Sequence, residues 1–176
     1  MALRIMPIRI IGCGNFDRGD DAAGLLVARR LRAFVVEHLG VEIPGLEITE
    51  QSGESFSLMD CWTGFEQVVL VDATAPHGTP GQVRVWNAHT DRLSEDVFPC
   101  STHAFGLREA VELGQVMKRL PQTLLIYGIE GKRFFLGAPR SPEVERAVVS
   151  VAERLMRRVS ASLFQTPQRL PREIIG

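Results

Sequence analysis

The feature that most constrains this chain is a strand-length run, Ile8-Arg9-Ile10-Ile11, that passes straight into Gly12-Cys13-Gly14-Asn15 and then into a long amphipathic stretch opened by Asp20-Asp21. A strand that turns on glycines into a helix is half of a βαβ unit, and such a helix has to cover one face of a sheet. The rest of the sequence continues the alternation. Apolar runs predict strands near 7–12, 46–50, 67–72, 81–86 and 123–129, and helical periodicity predicts helices near 20–39, 54–62, 102–119 and 141–163.

This pattern predicts an α/β fold in one domain over residues 1–164: a mostly parallel, twisted five-stranded sheet with helices on both faces. Two prolines and two glycines lie between Pro76 and Gly81, just before Gln82-Val83-Arg84-Val85-Trp86. A tight turn there, in place of a crossover helix, makes the fourth strand an antiparallel edge strand. Gly40 and Pro121 act as helix stops, and Ser141-Pro142 reads as an N-cap followed by proline at the first helical position. The tail 165–176, with Pro167 and Pro171, reads as either loosely held or docked.

With 176 residues, 45% of them apolar, the chain can bury roughly 70% of its unfolded surface. Its net charge of −1 argues against a nucleic-acid partner, which calls for a basic excess on one face. Cys13, Cys61 and Cys100 form an odd set without a Cys-x-x-Cys pair, which fits reduced thiols in a cytoplasmic protein. No apolar run approaches the roughly 20 residues of a membrane span.

Ligands of open α/β sheets collect beyond the carboxyl ends of the strands. Asp21 follows the first strand through the glycine loop, Asp72 ends the apolar run Val68-Val69-Leu70-Val71, and His103 opens the helix before the last strand. If strands one and three are neighbours, about 4.8 Å apart, the two acids can converge. The field of a helix start stabilises a carboxylate at Asp21 and disfavours an imidazolium at His103, leaving a ring nitrogen free to bind metal. Two carboxylates and an imidazole suit a divalent cation, with nickel, zinc and manganese all fitting the donor set.

Plainer roles compete with these. Asp20 reads as the helix cap, Gly12 and Gly14 as turn formers, Asn15 as an Asx-turn residue and Cys13 as a packed turn residue beside the site. His77 and His89 are alternative ligands in exposed loops. A dinucleotide fingerprint is weakened because the position of its third glycine holds Asp17, although Glu50 stands where a ribose-binding acid would be. A Cys100–His103 thiol dyad has both partners on one short segment, unlike dyads assembled from distant ones. The chain has neither a His-Glu-x-x-His helix nor a Gly-x-Ser-x-Gly elbow.

Four stretches in order, Ile11 to Asn15 with Asp20-Asp21 and Gly24, Val69 to Ala73, Ser101 to Leu107, and Gly128-Ile129-Glu130 with Ser141 to Val144, resemble the hydrogenase maturation proteases. These are nickel-dependent endopeptidases that process the large subunit of nickel-iron hydrogenases. The resemblance implies that Asp21, Asp72 and His103 are at once the catalytic and the metal-contacting residues, and that Gly14, Asn15, Gly53 and Glu54 face the bound substrate tail. It also implies a cofactor, nickel, that the substrate supplies and other divalent cations can replace, and a partner, the large-subunit precursor, whose C-terminal extension is removed after nickel insertion. The runner-up is a non-catalytic checkpoint of the same fold that binds the nickel-loaded precursor. The chain departs from the family pattern in three places. Asp21 stands where many relatives have glutamate, Ala22-Ala23 precede Gly24, and Gln51-Ser52-Gly53-Glu54-Ser55 replaces a common glycine-threonine loop.

Overall fold

The computed structural model describes residues 7–39, 43–98 and 106–163. The tail 165–176 and the predicted stop at Gly40 lie outside them. Five strands form one sheet in the order β2-β1-β3-β5-β4: β1 (Ile8–Cys13), β2 (Leu46–Gln51), β3 (Gln67–Thr74), β4 (Val83–Asn87) and β5 (Thr123–Glu130). β1, β2, β3 and β5 run parallel, and β4 is the antiparallel edge strand that the turn chemistry before it predicts.

A short 3₁₀ turn at Gly19–Ala22 leads into α1 (Ala23–Leu39), followed along the chain by α2 (Ser55–Trp62), α3 (Leu107–Val116) and α4 (Pro142–Leu163). Side chains alternate across the strands and divide the core in two. Ile8, Ile10, Val69, Val71, Tyr127 and Ile129 pack beneath α1 and α4 around Val27, Leu31, Val148 and Leu155. Ile11, Val68, Leu70, Leu124 and Ile126 face α2 and α3 around Leu58, Trp62, Ala110 and Val111. Among the described residues, no helix is long and apolar enough to cross a membrane.

The order of strands matters for function. From β1 the chain moves out to β2, then returns past β1 to β3, so β1 and β3 are neighbours from which the connections leave in opposite directions. That is the switch point at which an open α/β sheet leaves a crevice at its carboxyl edge. Gly24 lets α1 lie directly on this edge, since a methyl group there would overlap the carbonyl oxygens of Val71 and Cys13.

Two boundaries differ from the sequence expectation. β3 continues past Asp72 to Thr74, because β5 keeps pairing with it after β1 has stopped at Gly12↔Val71. α3 begins at Leu107, after an extended Gly106 whose N–H donates to Glu109 Oε2 at 2.9 Å, so the helix predicted from 102 starts five residues later. The predicted placement of His103 in a helix first turn lies outside the described residues.

α3 also ends before Pro121. Lys118 adopts φ 55° after the helix, while Lys118 N–H donates to Gln115 O at 3.1 Å and Arg119 N–H to Gly114 O at 2.8 Å. These are the two bonds of a Schellman stop, with lysine in the left-handed position that glycine usually takes. Lys118→Gly removes a strain of about 1–2 kcal/mol at the expense of some unfolded-state entropy. A net gain of roughly 0.5–1 kcal/mol in urea unfolding is expected, and a loss would show that Lys118 has a compensating role.

Candidate functional site

The crevice opens above the carboxyl ends of β1 and β3 as a cavity of about 330 Å³. Gly14, Arg18 and Asp21 from the β1–α1 connection line it, with Ser52 and Gly53 after β2 and Asp72 to Pro76 at the end of β3. Phe98, Gly106, Leu107 and Phe134 complete the wall. Asp21 and Asp72, 51 positions apart in sequence, thus share one cavity and act on each other electrostatically.

Each acid is placed by backbone geometry. Gly14 has φ 138°, and a side chain there would overlap the Asp21 carbonyl oxygen, so the loop can fold tightly against the 3₁₀ turn only with glycine. Asn15 N–H donates to that same Asp21 carbonyl at 3.2 Å. The Asn15 side chain forms the expected Asx turn, its Oδ1 accepting from Asp17 N–H at 2.8 Å. Asp72 accepts the N–H of Ala73 through Oδ1 at 2.8 Å.

Burial followed by repulsion from Asp21 pushes the Asp72 carboxyl up to about 7, against the opposing Ala73 hydrogen bond. Burial also pushes Asp21 up, with the Arg18 guanidinium opposing it. Cys13, fully enclosed at the end of β1, is driven up by burial and then by repulsion from Asp72, Cys61 and Asp21. Its thiol stays protonated and is a poor nucleophile or soft ligand.

Asp20 does something other than cap its helix. Its side chain makes no cap bond to the 3₁₀ turn or α1. Instead it reaches across to accept Ser141 N–H (2.6 Å), Ser141 Oγ–H (2.7 Å), Lys132 N–H (2.8 Å) and Arg133 N–H (2.9 Å). Burial alone would raise this carboxyl, but those four bonds outweigh it and hold it below the ordinary range. Asp20 thus ties the turn that carries Asp21 to the β5–α4 loop and to the start of α4. A local helix-start signal conceals this role, because its partners lie more than 110 residues away.

Glu130 is a second organising acid, unassigned from sequence. At the end of β5 it accepts the N–H groups of His77 (2.6 Å) and Thr79 (2.7 Å), shaping the loop beyond the cavity wall. Its position at a strand's carboxyl end, like that of Asp72, was the available signal.

Of the other residues singled out from sequence, Gly14 and Gly53 line the cavity, while Asn15 and Glu54 are exposed beside it. Glu54 Oε2 accepts from Ser57 Oγ–H at 3.3 Å. The rings of His77 and His89 lie against the carbonyls of Asp96 and Pro121, at 3.1 and 2.9 Å, and neither lines the cavity. Glu50 pairs with Arg29 and Arg32. His103 and Cys100 fall in 99–105, outside the described residues. Among the described residues no three His, Cys, Asp or Glu side chains form a cation-binding group, Asp21 and Asp72 supplying two carboxylates. Arg18 and Phe134 were not foreseen: Arg18 Nε donates to Phe134 O at 2.9 Å, joining the two sides of the cavity.

The mixed α/β sheet thus sets paired acids and a cavity at its switch point, where open α/β sheets as a class collect their ligands. Residues 37–158 match the model of the HycI family, described as hydrogenase maturation protease, and the chain belongs to that family. It is 30% identical over 148 residues to Protein FrxA of Pyrococcus furiosus, covering 78% of this chain and 94% of that protein. It is 26% identical to the crystal structure of a [NiFe] hydrogenase maturation protease HycI from Thermococcus kodakarensis, with a TM-score of 0.68 over 88% of this chain and 93% of that one. The hydrogenase maturating endopeptidase HybD from E. coli has the same fold, with a TM-score of 0.71 at 18% identity, over 89% of this chain and 94% of that one.

Proposed function

We propose that this protein is an endopeptidase that removes the C-terminal extension of a nickel-iron hydrogenase large-subunit precursor after nickel insertion. The observation that carries this reading is the meeting of Asp21 and Asp72 at a single cavity, at the switch point of a fold shared with maturation proteases. His103 joins them in the proposal. Both residues flanking its segment, Phe98 and Gly106, line the cavity, and three residues of chain span no more than about 10 Å.

The nickel arrives as part of the substrate. Two carboxyls that burial pushes up, Asp72 further by repulsion from Asp21, fit a divalent cation, whose charge relieves the cost of holding both ionised in one cavity. The chemistry on offer is addition of water to a peptide carbonyl, with the substrate's nickel polarising that carbonyl or acidifying the attacking water. Gly14, Asn15, Gly53 and Glu54 border the path of the substrate tail. Other divalent ions can replace nickel in the same donor set, and free Cys13 and Cys61 suit a reducing cytoplasm.

Co-expression of the precursor with this protein and nickel tests the reading, with the shortened large subunit measured by mass. Asp21→Asn and His103→Ala are each expected to lower processing at least 100-fold while leaving the thermal transition within a few degrees. A precursor that binds stably but is never shortened would make the protein a checkpoint, and full processing by either variant would remove that residue from the site.

A further inference from the structure

A second cavity, a groove of about 650 Å³, lies between α1 and α4 and shares no lining residue with the acidic crevice. Its lining includes four guanidinium groups, Arg29, Arg30, Arg140 and Arg146, against one carboxylate, Glu145. In a chain of net charge −1 this is a concentrated positive field. Arg29 and Arg140 are partly neutralised, each 3.3 Å from a carboxylate of Glu50 and Glu145 respectively. Arg30 and Arg146 are exposed and have no ion pair among the described residues. The floor between the arginines is apolar, formed by Leu26, Ala33, Val148 and Val149.

The groove adjoins the proposed active site. Arg29 stacks over Phe16 at 3.8 Å, on the same loop as Gly14 and Arg18, and Arg140 precedes Ser141, which Asp20 holds. We infer that this groove is a docking site for an acidic, amphipathic segment of the protein substrate whose tail occupies the crevice, an inference that rests on the proposed function for the identity of the partner. The charge pattern selects this occupant. Apolar side chains fit the floor while carboxylates reach the arginine forks at the rim. A nucleic acid fits less well, since its continuous polyanionic backbone has no apolar side chains to cover Leu26, Ala33, Val148 and Val149.

Two measurements test this. In fluorescence anisotropy, a labelled helical probe peptide alternating glutamate and leucine faces should bind wild-type protein and weaken as salt rises. Arg30→Gln with Arg146→Gln should weaken it at least tenfold, and a probe with glutamine in place of glutamate should bind no better than that variant. In processing assays on the nickel-loaded precursor, the same double variant should raise KM about tenfold, most clearly at low salt. Unchanged probe affinity or unchanged KM in a folded double variant would overturn the groove, as would tighter binding of single-stranded RNA or anionic vesicles than of the probe. Failure of wild-type protein to process the precursor, with probe binding intact, would overturn the proposed activity and leave the groove standing.

Discussion

Asp72→Asn is expected to abolish processing and at the same time to stabilise the protein at pH 8. The carboxyl has a folded-state pKa of about 7, against an ordinary value of 3.8. Above the higher value, folding therefore holds a charge in a place that disfavours it. The folded chain binds more protons than the unfolded chain between these two values, so stability is fully present below pH 3.8 and is lost as pH rises towards 7. At about 1.4 kcal/mol per pKa unit, the shift corresponds to at most about 4 kcal/mol, and partial exposure to the cavity reduces this to about 2.

Asparagine keeps the acceptor for Ala73 N–H and removes the charge. Its melting temperature should exceed the wild type's by roughly 4–8 °C at pH 8 and match it near pH 4. An equal melting temperature at both pH values would mean that Asp72 is not electrostatically strained. The charge that the proposed function requires at Asp72 is the charge that burial penalises, so removing it exchanges activity for stability.

Asp20→Ala should act in the opposite direction and more strongly. It removes a fully buried carboxylate and leaves four donors, from Lys132, Arg133 and twice from Ser141, without their acceptor. Hydrogen bonds to a charged group contribute about 1.5–3 kcal/mol each and do not simply add, so a loss of about 4 kcal/mol or more is expected. That corresponds to a fall of roughly 10 °C in melting temperature.

The pH dependence distinguishes Asp20 from Asp72. Because the folded-state pKa of Asp20 is depressed, its contribution is present above the ordinary value of 3.8 and disappears as pH falls through the folded one. The gap between wild type and Asp20→Ala should therefore narrow on acidification, as followed by thermal melts between pH 3 and pH 7. A gap that stayed constant would assign the loss to packing alone.

Two neighbouring aspartates thus have opposite electrostatic characters, which the sequence reading did not separate. Local sequence makes Asp20 look like a cap, because acids at a helix start usually serve its own N–H groups. Its actual donors come from the β5–α4 loop and Ser141, and only the packing of α4 against α1 brings them near. The place of Asp21 at the carboxyl edge is legible in the sequence because a strand, a glycine turn and a helix start set its position relative to β1. The same holds for Asp72 on β3.

The sequence expectation carries the helix through Gly106 because a single glycine is not a strong local breaker, whereas the structure holds Gly106 extended and starts α3 at Leu107. Arg18 and Phe134 escaped notice for a related reason. Nothing in their local sequence marks them, and they meet across the cavity only because Asp20 anchors the loop between β5 and α4.

What the sequence by itself determined is what short-range physics controls: the type and order of the described strands and helices, the antiparallel edge strand, and the two acids at the carboxyl edge. Period-two and 3.6-residue patterns are local properties that survive in a one-dimensional text. Only the tertiary structure decided which acid is strained and which is satisfied, because desolvation and hydrogen bonding depend on chain segments more than 50 and more than 110 residues away. It also decided that the arginines of α1 and α4 share one groove, since two surface helices become neighbours only by packing on the same face of the sheet.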